Sequence, residues 1–224
     1  MATGEVRKSG TSPRALLLDL DGTLADTLPD IARAVNRTRS LLGWGPMPAP
    51  AVQVHVGDGL HRLLERCTGL DAETVRTLVP GWRAFYLEHC VEETRLLPEA
   101  LEFLEAARDR GIPMAVVSNK PEAPVRRILD GLGITPFFGA VLGGDSLPTC
   151  KPDPAMVHEA LRLLGGVAPP DAWLVGDGPQ DVEAAKAAGA VAVLLPGYGD
   201  LGRARALRPD LEVPDLEALR ERLG

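Results

Sequence analysis

Residues 14–27 read RALLLDLDGTLADT, and the change of character between Leu18 and Asp19 decides the fold class. Four successive apolar positions, 15–18, suit a strand buried on both faces, and the acids and glycine directly behind them suit the loop that leaves it. Similar short apolar runs recur at 113–117, 140–142, 172–175 and 190–195. Between them lie segments with helical spacing. Leu101, Leu104 and Ala107 follow Pro98-Glu99 and stop at Gly111, which places proline and glycine where helix ends prefer them. Segments 122–132, 154–164 and 179–188 read as helices in the same way. Alternating strands and helices predict a doubly wound parallel α/β sheet, with its active site outside the carboxyl ends of the strands.

Working outward, residues 28–97 break this pattern. They lack strand-like runs and offer helical stretches at 30–42, 59–68 and 72–91, with Pro80 expected to start a new helix and GWGPMPAPA (43–51) expected to be a loop. A helical block of this size after the first strand is most simply an inserted cap. The expected organisation is therefore a flexible tail at 1–13, an α/β core at 14–27 and 98–224, and a small helical cap at 28–97.

Composition narrows the class of function. The 224 residues are 45% hydrophobic and 25% charged, an ordinary globular balance with enough chain to bury a core unaided. A net charge of -7 opposes binding to a phosphate backbone, so nucleic acid is not an expected partner. Cys67, Cys90 and Cys150 have no metal-ligand spacing and read as reduced thiols. No apolar run approaches the length of a membrane span and no signal-peptide pattern is present, so a cytoplasmic location with no membrane partner is expected.

Chemistry gathers at the predicted strand ends. Asp19 and Asp21 lie two apart, where extended geometry would turn both carboxylates to one side. At about 4 Å and an effective dielectric near 20, two such charges repel by roughly 4 kcal/mol, so a cation is expected between them. An oxygen-only cluster that leaves room for a phosphate is what Mg²⁺ takes. A second acid pair, Asp177 and Asp181, stands in LVGDGPQD; helix capping alone would need only one of them. Ser118 and Asn119 end the strand before VVSNKP, and Lys151 stands in TCKPDP. Only four lysines occur, and Lys120, Lys151 and Lys186 all lie in or beside these segments. Lysine offers a compact point charge that arginine cannot copy. With a divalent ion and Lys151, the four carboxylates keep one net negative charge.

In order, LLLDLDGTLADT, VVSNK, TCKPDP and VGDGPQD resemble the four motifs of the haloacid dehalogenase superfamily of aspartate-dependent phosphohydrolases, and residues 28–97 resemble its cap. Within that superfamily the chain most resembles bacterial phosphoglycolate phosphatases, from residue 14 nearly to the end. The resemblance implies a Rossmann-like core and a Mg²⁺-dependent hydrolysis of small phosphomonoesters through an aspartyl-phosphate. It implies Asp19 as nucleophile and Asp21 as general acid, then base. Thr23, Ser118 and Lys151 would bind the phosphoryl oxygens, with Asn119 positioning their loop. Asp19, the Asp21 backbone carbonyl and Asp177 would hold the metal, and Asp181 would orient its waters. One departure is Gly178-Pro179, where the family often has serine, and an altered loop path is expected there.

Other readings differ in what they require. A phosphosugar mutase or a pyrophosphatase of the same superfamily would keep the motifs. A phospho-accepting signalling module needs slow hydrolysis and would have no use for Asp21 or a cap, and carbon–halogen cleavage would leave Asp177 and Asp181 without a role. His61 and Arg62 follow the loop Gly57-Asp58-Gly59 and are candidates for substrate contact from the cap. The expected partner is a small phosphorylated metabolite, bound by a monomer or homodimer.

Overall fold

A computed structural model describes residues 12–224. The tail expected at 1–13 lies outside them except for Ser12 and Pro13. Strands β1 (Ala15–Leu18), β4 (Met114–Val117), β5 (Phe138–Leu142), β6 (Ala172–Gly176), β7 (Val191–Leu194) and β8 (Leu211–Glu212) form one parallel sheet. Its order is β5-β4-β1-β6-β7-β8. Helices α5 (Ala100–Asp109), α6 (Glu122–Gly131), α7 (Ala155–Leu163), α8 (Pro179–Ala188), α9 (Leu201–Ala206) and α10 (Leu216–Arg220) alternate with the strands.

Alternation along each strand explains why the sheet has two apolar faces. Leu16 and Leu18 of β1 pack with Phe103 and Leu104 of α5, while Ala15 and Leu17 face Met156 and Val157 of α7 and Val182 of α8. All four β1 side chains are fully buried, as the uninterrupted apolar run requires. Strand β1 sits between β4 and β6, so the chain ends that leave these three strands lie side by side. They carry Asp19, Ser118 and Asp177. This is the switch point of the sheet, where open α/β folds bind ligands.

Two short strands, β2 (Ala25–Asp26) and β3 (Arg95–Leu96), pair antiparallel with Ala25 opposite Leu96 and Asp26 opposite Arg95. Between them run α1 (Leu28–Leu41), α2 (Ala49–Gln53), α3 (Leu60–Thr68) and α4 (Ala72–His89). The ribbon is too short to leave a periodic signature in the sequence. The segment expected to be a pure loop contributes α2, which begins behind Pro48. Pro80 does not start a helix: α4 runs through it. Val75, Val79, Trp82 and Tyr86 are buried on both sides of the proline, and packing along that stripe holds the helix together despite the missing N–H. Trp82 and Tyr86 of α4 are buried and stacked 4.6 Å apart, whereas Trp44 lies exposed.

Candidate active site

The end of β1 delivers Asp19 into a buried cluster. Ligand atoms of Asp19, Asp177 and Asp181 all lie within 4.8 Å of one another. Asp177 follows β6, and Asp181 comes from the first turn of α8. The Gly178-Pro179 step leaves that turn regular, with Pro179 at its first position and the Gly178 N–H donating to Asp181 Oδ2 at 3.0 Å. Gly176 makes room for it, since a Cβ there would stand 2.2 Å from Asp181 Cγ. Asp181 therefore stands beside Asp19 and Asp177 in the cluster.

Lys151 completes the cluster. Its Nζ donates to Asp181 Oδ1 at 2.5 Å and lies 3.1 Å from Asp19 Oδ1, with its side chain wholly buried. Burial disfavours its charge, yet Asp181 and Asp19 together hold the ammonium above the ordinary lysine value. Burial raises the Asp19 carboxyl to about 6; Lys151 opposes the rise, and Asp181 and Asp21 add to it. Asp177 is pushed well above the carboxylate range by burial and by Asp19 and Asp181, against the opposing N–H groups of Gly199 and Tyr198. A set of buried oxygen donors in mutual repulsion suits a hard divalent cation, which would relieve it.

Asp21 is not in that cluster. Its Oδ1 accepts from Thr27 Oγ1 at 2.5 Å, and both its oxygens accept from Lys120 Nζ, at 2.7 and 2.8 Å. Extended geometry ends at Asp19, because Leu20 to Ala25 close a turn through Gly22 at φ +78°. The two aspartates consequently face different cations. Lys120 adds a positive charge that the sequence-level sum omitted, so four carboxylates and two ammoniums leave a deficit that one divalent ion would neutralise.

The remaining expected residues divide. Ser118 lines the pocket, and its Oγ accepts from the Lys120 N–H at 3.4 Å. Thr23 Oγ1 is buried and has no partner among the described residues. The Asn119 side chain bridges two backbones, donating to Gly57 O at 3.0 Å and Lys151 O at 2.9 Å. It thus joins the loop before α3 to the loop that carries Lys151. His61 and Arg62 do not reach the site: both are exposed on α3, and Arg62 pairs with Glu65 at 2.8 Å. The wall over the pocket is instead Ile31, Val56, Leu60, Leu63 and Trp82.

Three residues of this arrangement were absent from the sequence reading of the site. Lys120 carried a signal in being one of so few lysines. Thr27 carried none. Tyr198 sits in the loop after β7; its N–H donates to Asp177, and its hydroxyl donates to Asp26 and accepts from the Thr27 and Leu28 N–H groups at 2.8 and 3.1 Å. That hydroxyl meets the start of α1 from a distance in sequence no local pattern could reveal.

A parallel sheet with an aspartate cluster and two lysines at its switch point defines a hydrolase-type site, and comparison with known proteins gives the family. Residues 13–189 match the model of the haloacid dehalogenase-like hydrolases, and the chain belongs to that family. It is 38% identical over 220 residues to the phosphoglycolate phosphatase of Neisseria meningitidis, covering 94% of this chain and 93% of that protein. It is 39% identical to the phosphoglycolate phosphatase of Pseudomonas putida, covering 94% of this chain and 79% of that one. Among solved structures, a predicted phosphoglycolate phosphatase from Haemophilus somnus superposes with a TM-score of 0.87 at 30% identity, over 94% of this chain and 98% of that one.

Proposed function

We propose that this chain is a Mg²⁺-dependent phosphatase acting on small phosphomonoesters through an aspartyl-phosphate, with phosphoglycolate as its substrate. The buried cluster of Asp19, Asp177 and Asp181 around Lys151 carries the reading. The names of the relatives support the substrate.

In this reading Asp19 attacks phosphorus, the bond to the ester oxygen breaks, and Asp21 donates its proton to the departing alkoxide. Asp21 then takes a proton from water, whose oxygen attacks the aspartyl-phosphate and releases inorganic phosphate and the Asp19 carboxylate. Lys151, Ser118 and Thr23 hold the phosphoryl oxygens, and the unpartnered Thr23 hydroxyl is a donor in reserve for one of them. Asn119 keeps the Lys151 loop in place. Asp19, Asp177 and the Asp21 carbonyl would hold Mg²⁺, with Asp181 beside them, and the ion would supply charge neutralisation to the phosphoryl group. Helices α1–α4 act as a cap over the pocket. No helix among the described residues is long and apolar enough to cross a membrane. Three unpaired cysteines support a reducing, cytoplasmic setting.

The experiment is a panel of phosphate esters assayed with Mg²⁺, with chelator, and with Asp19→Asn. Hydrolysis should require Mg²⁺ and should vanish in Asp19→Asn while the fold persists, since the amide cannot attack phosphorus. Asp21→Asn should be slower by roughly 10² to 10⁴. Full turnover in excess EDTA would refute the metal assignment.

A further inference from the structure

A second lysine lines the pocket outside the cluster of Asp19, Asp177, Asp181 and Lys151. Lys151 is engaged by Asp181 and Asp19. Among the described residues lining the pocket, Lys120 is the one lysine or arginine. It is 8% exposed, pairs with both Asp21 oxygens, and stands 4.9 Å from the centre of the Tyr86 ring. Tyr86 stacks on Trp82 of the apolar wall. The Trp82 indole N–H is buried and has no hydrogen-bond partner among the described residues. A buried donor without an acceptor is costly unless a ligand supplies one.

Resting on the phosphatase reading above, we propose that Lys120, assisted by the Trp82 indole N–H, is the specificity-determining group for the leaving group and selects esters of short hydroxy acids by pairing with their carboxylate. Reach supports it. As general acid, Asp21 would stand at hydrogen-bond distance, roughly 2.7 Å, from the ester oxygen. Lys120 Nζ, at 2.7 and 2.8 Å from the Asp21 oxygens, then lies no more than about 6 Å from that ester oxygen. In phosphoglycolate a single methylene separates the ester oxygen from the carboxylate, whose oxygens fall roughly 3 Å from it by ordinary bond lengths. A carboxylate there is within reach of Lys120. A neutral alcohol would leave the ammonium and the indole donor without a new partner.

The test compares phosphoglycolate with ethyl phosphate, which lacks the carboxylate, in the wild type and in Lys120→Met, Lys120→Gln and Trp82→Phe. Thermal melts establish that each variant is folded. The wild type should prefer phosphoglycolate, and both Lys120 variants should lose about 10- to 100-fold more kcat/KM on phosphoglycolate than on ethyl phosphate, the usual range for a charged hydrogen bond. Trp82→Phe should lose several-fold more on phosphoglycolate than on ethyl phosphate, mainly through KM. Glycolate should inhibit the wild type competitively, and its Ki should rise in the Lys120 variants. Equal losses on both esters, or a preference that survives Lys120→Met and Lys120→Gln, would overturn the assignment and leave the phosphatase reading standing. A wild type that hydrolyses ethyl phosphate as well as phosphoglycolate would overturn the assignment and the substrate reading together. Hydrolysis of neither ester would overturn the phosphatase reading itself.

Discussion

Lys151 Nζ and Asp181 Oδ1 form a 2.5 Å ion pair closed off from water, with both side chains essentially unexposed. Removing one member of a buried pair costs about 3–5 kcal/mol, because the other charge stays behind. Asp181→Ala should therefore melt roughly 10 °C below the wild type, at about 2–4 °C per kcal/mol for a chain of this size. Asp181→Asn, which keeps shape and the Gly178 bond but not the charge, should fall between the two. Identical melting of all three proteins would mean that Asp19 alone satisfies Lys151.

The raised carboxyls of Asp19 and Asp177 predict a pH dependence for the proposed Mg²⁺ binding. A carboxyl whose folded-state value is raised, to about 6 from 3.8 for Asp19, binds its proton more tightly folded than unfolded. Its contribution to stability consequently declines as pH rises through that interval in metal-free protein. A cation that takes the place of the protons reverses the penalty. The rise in Tm produced by Mg²⁺ should be small at pH 5 and larger at pH 7.5. Equal shifts at both values would mean that the ion binds elsewhere.

His61→Ala and Arg62→Ala should each leave kcat/KM for phosphoglycolate within about twofold, as surface substitutions away from a site usually do. Both side chains face solvent across α3 from the pocket. A tenfold loss in either variant would require a different placement of α3 during turnover.

Gly22→Ala should weaken Mg²⁺ binding. Gly22 has φ +78°, and a Cβ there would stand 2.5 Å from Asp177 Oδ2 and 2.9 Å from the Tyr198 ring. The left-handed conformation alone costs a residue with a side chain about 1–2 kcal/mol. A Mg²⁺ titration of the melting temperature checks it; an unchanged affinity would show that the loop yields without moving Asp177.

The α/β core was legible because its central strands are buried on both faces and helices α5 to α8 begin near prolines and end near glycines. The acids were legible because they interrupt apolar runs. What stayed hidden has identifiable causes. Asp21 parts from Asp19 because the chain turns at Gly22, a bend that a two-residue spacing rule ignores. Pro80 gave way to a buried stripe that only tertiary packing reveals. Tyr198 reaches Asp26 and Thr27 across more than 170 residues. The placement of His61 and Arg62, by contrast, was available: Leu60, Leu63, Leu64 and Cys67 follow helical spacing, and that phase turns positions 61 and 62 outward. A glycine loop suggesting an anion site outweighed a periodicity that was plainer.

The antiparallel pairing of β2 with β3 brings the two ends of the helical insertion to adjacent points on the core. An insert whose entry and exit touch behaves as a closed loop: its length and content place almost no demand on the sheet beneath, because loop closure grows only slowly with length. The ribbon is thus a natural splice point. Whatever lies beyond Asp26 and Arg95 can be lengthened, shortened or exchanged in the course of descent while Asp19, Lys151 and Asp177 keep their places, so one catalytic chassis can change its clientele without being rebuilt.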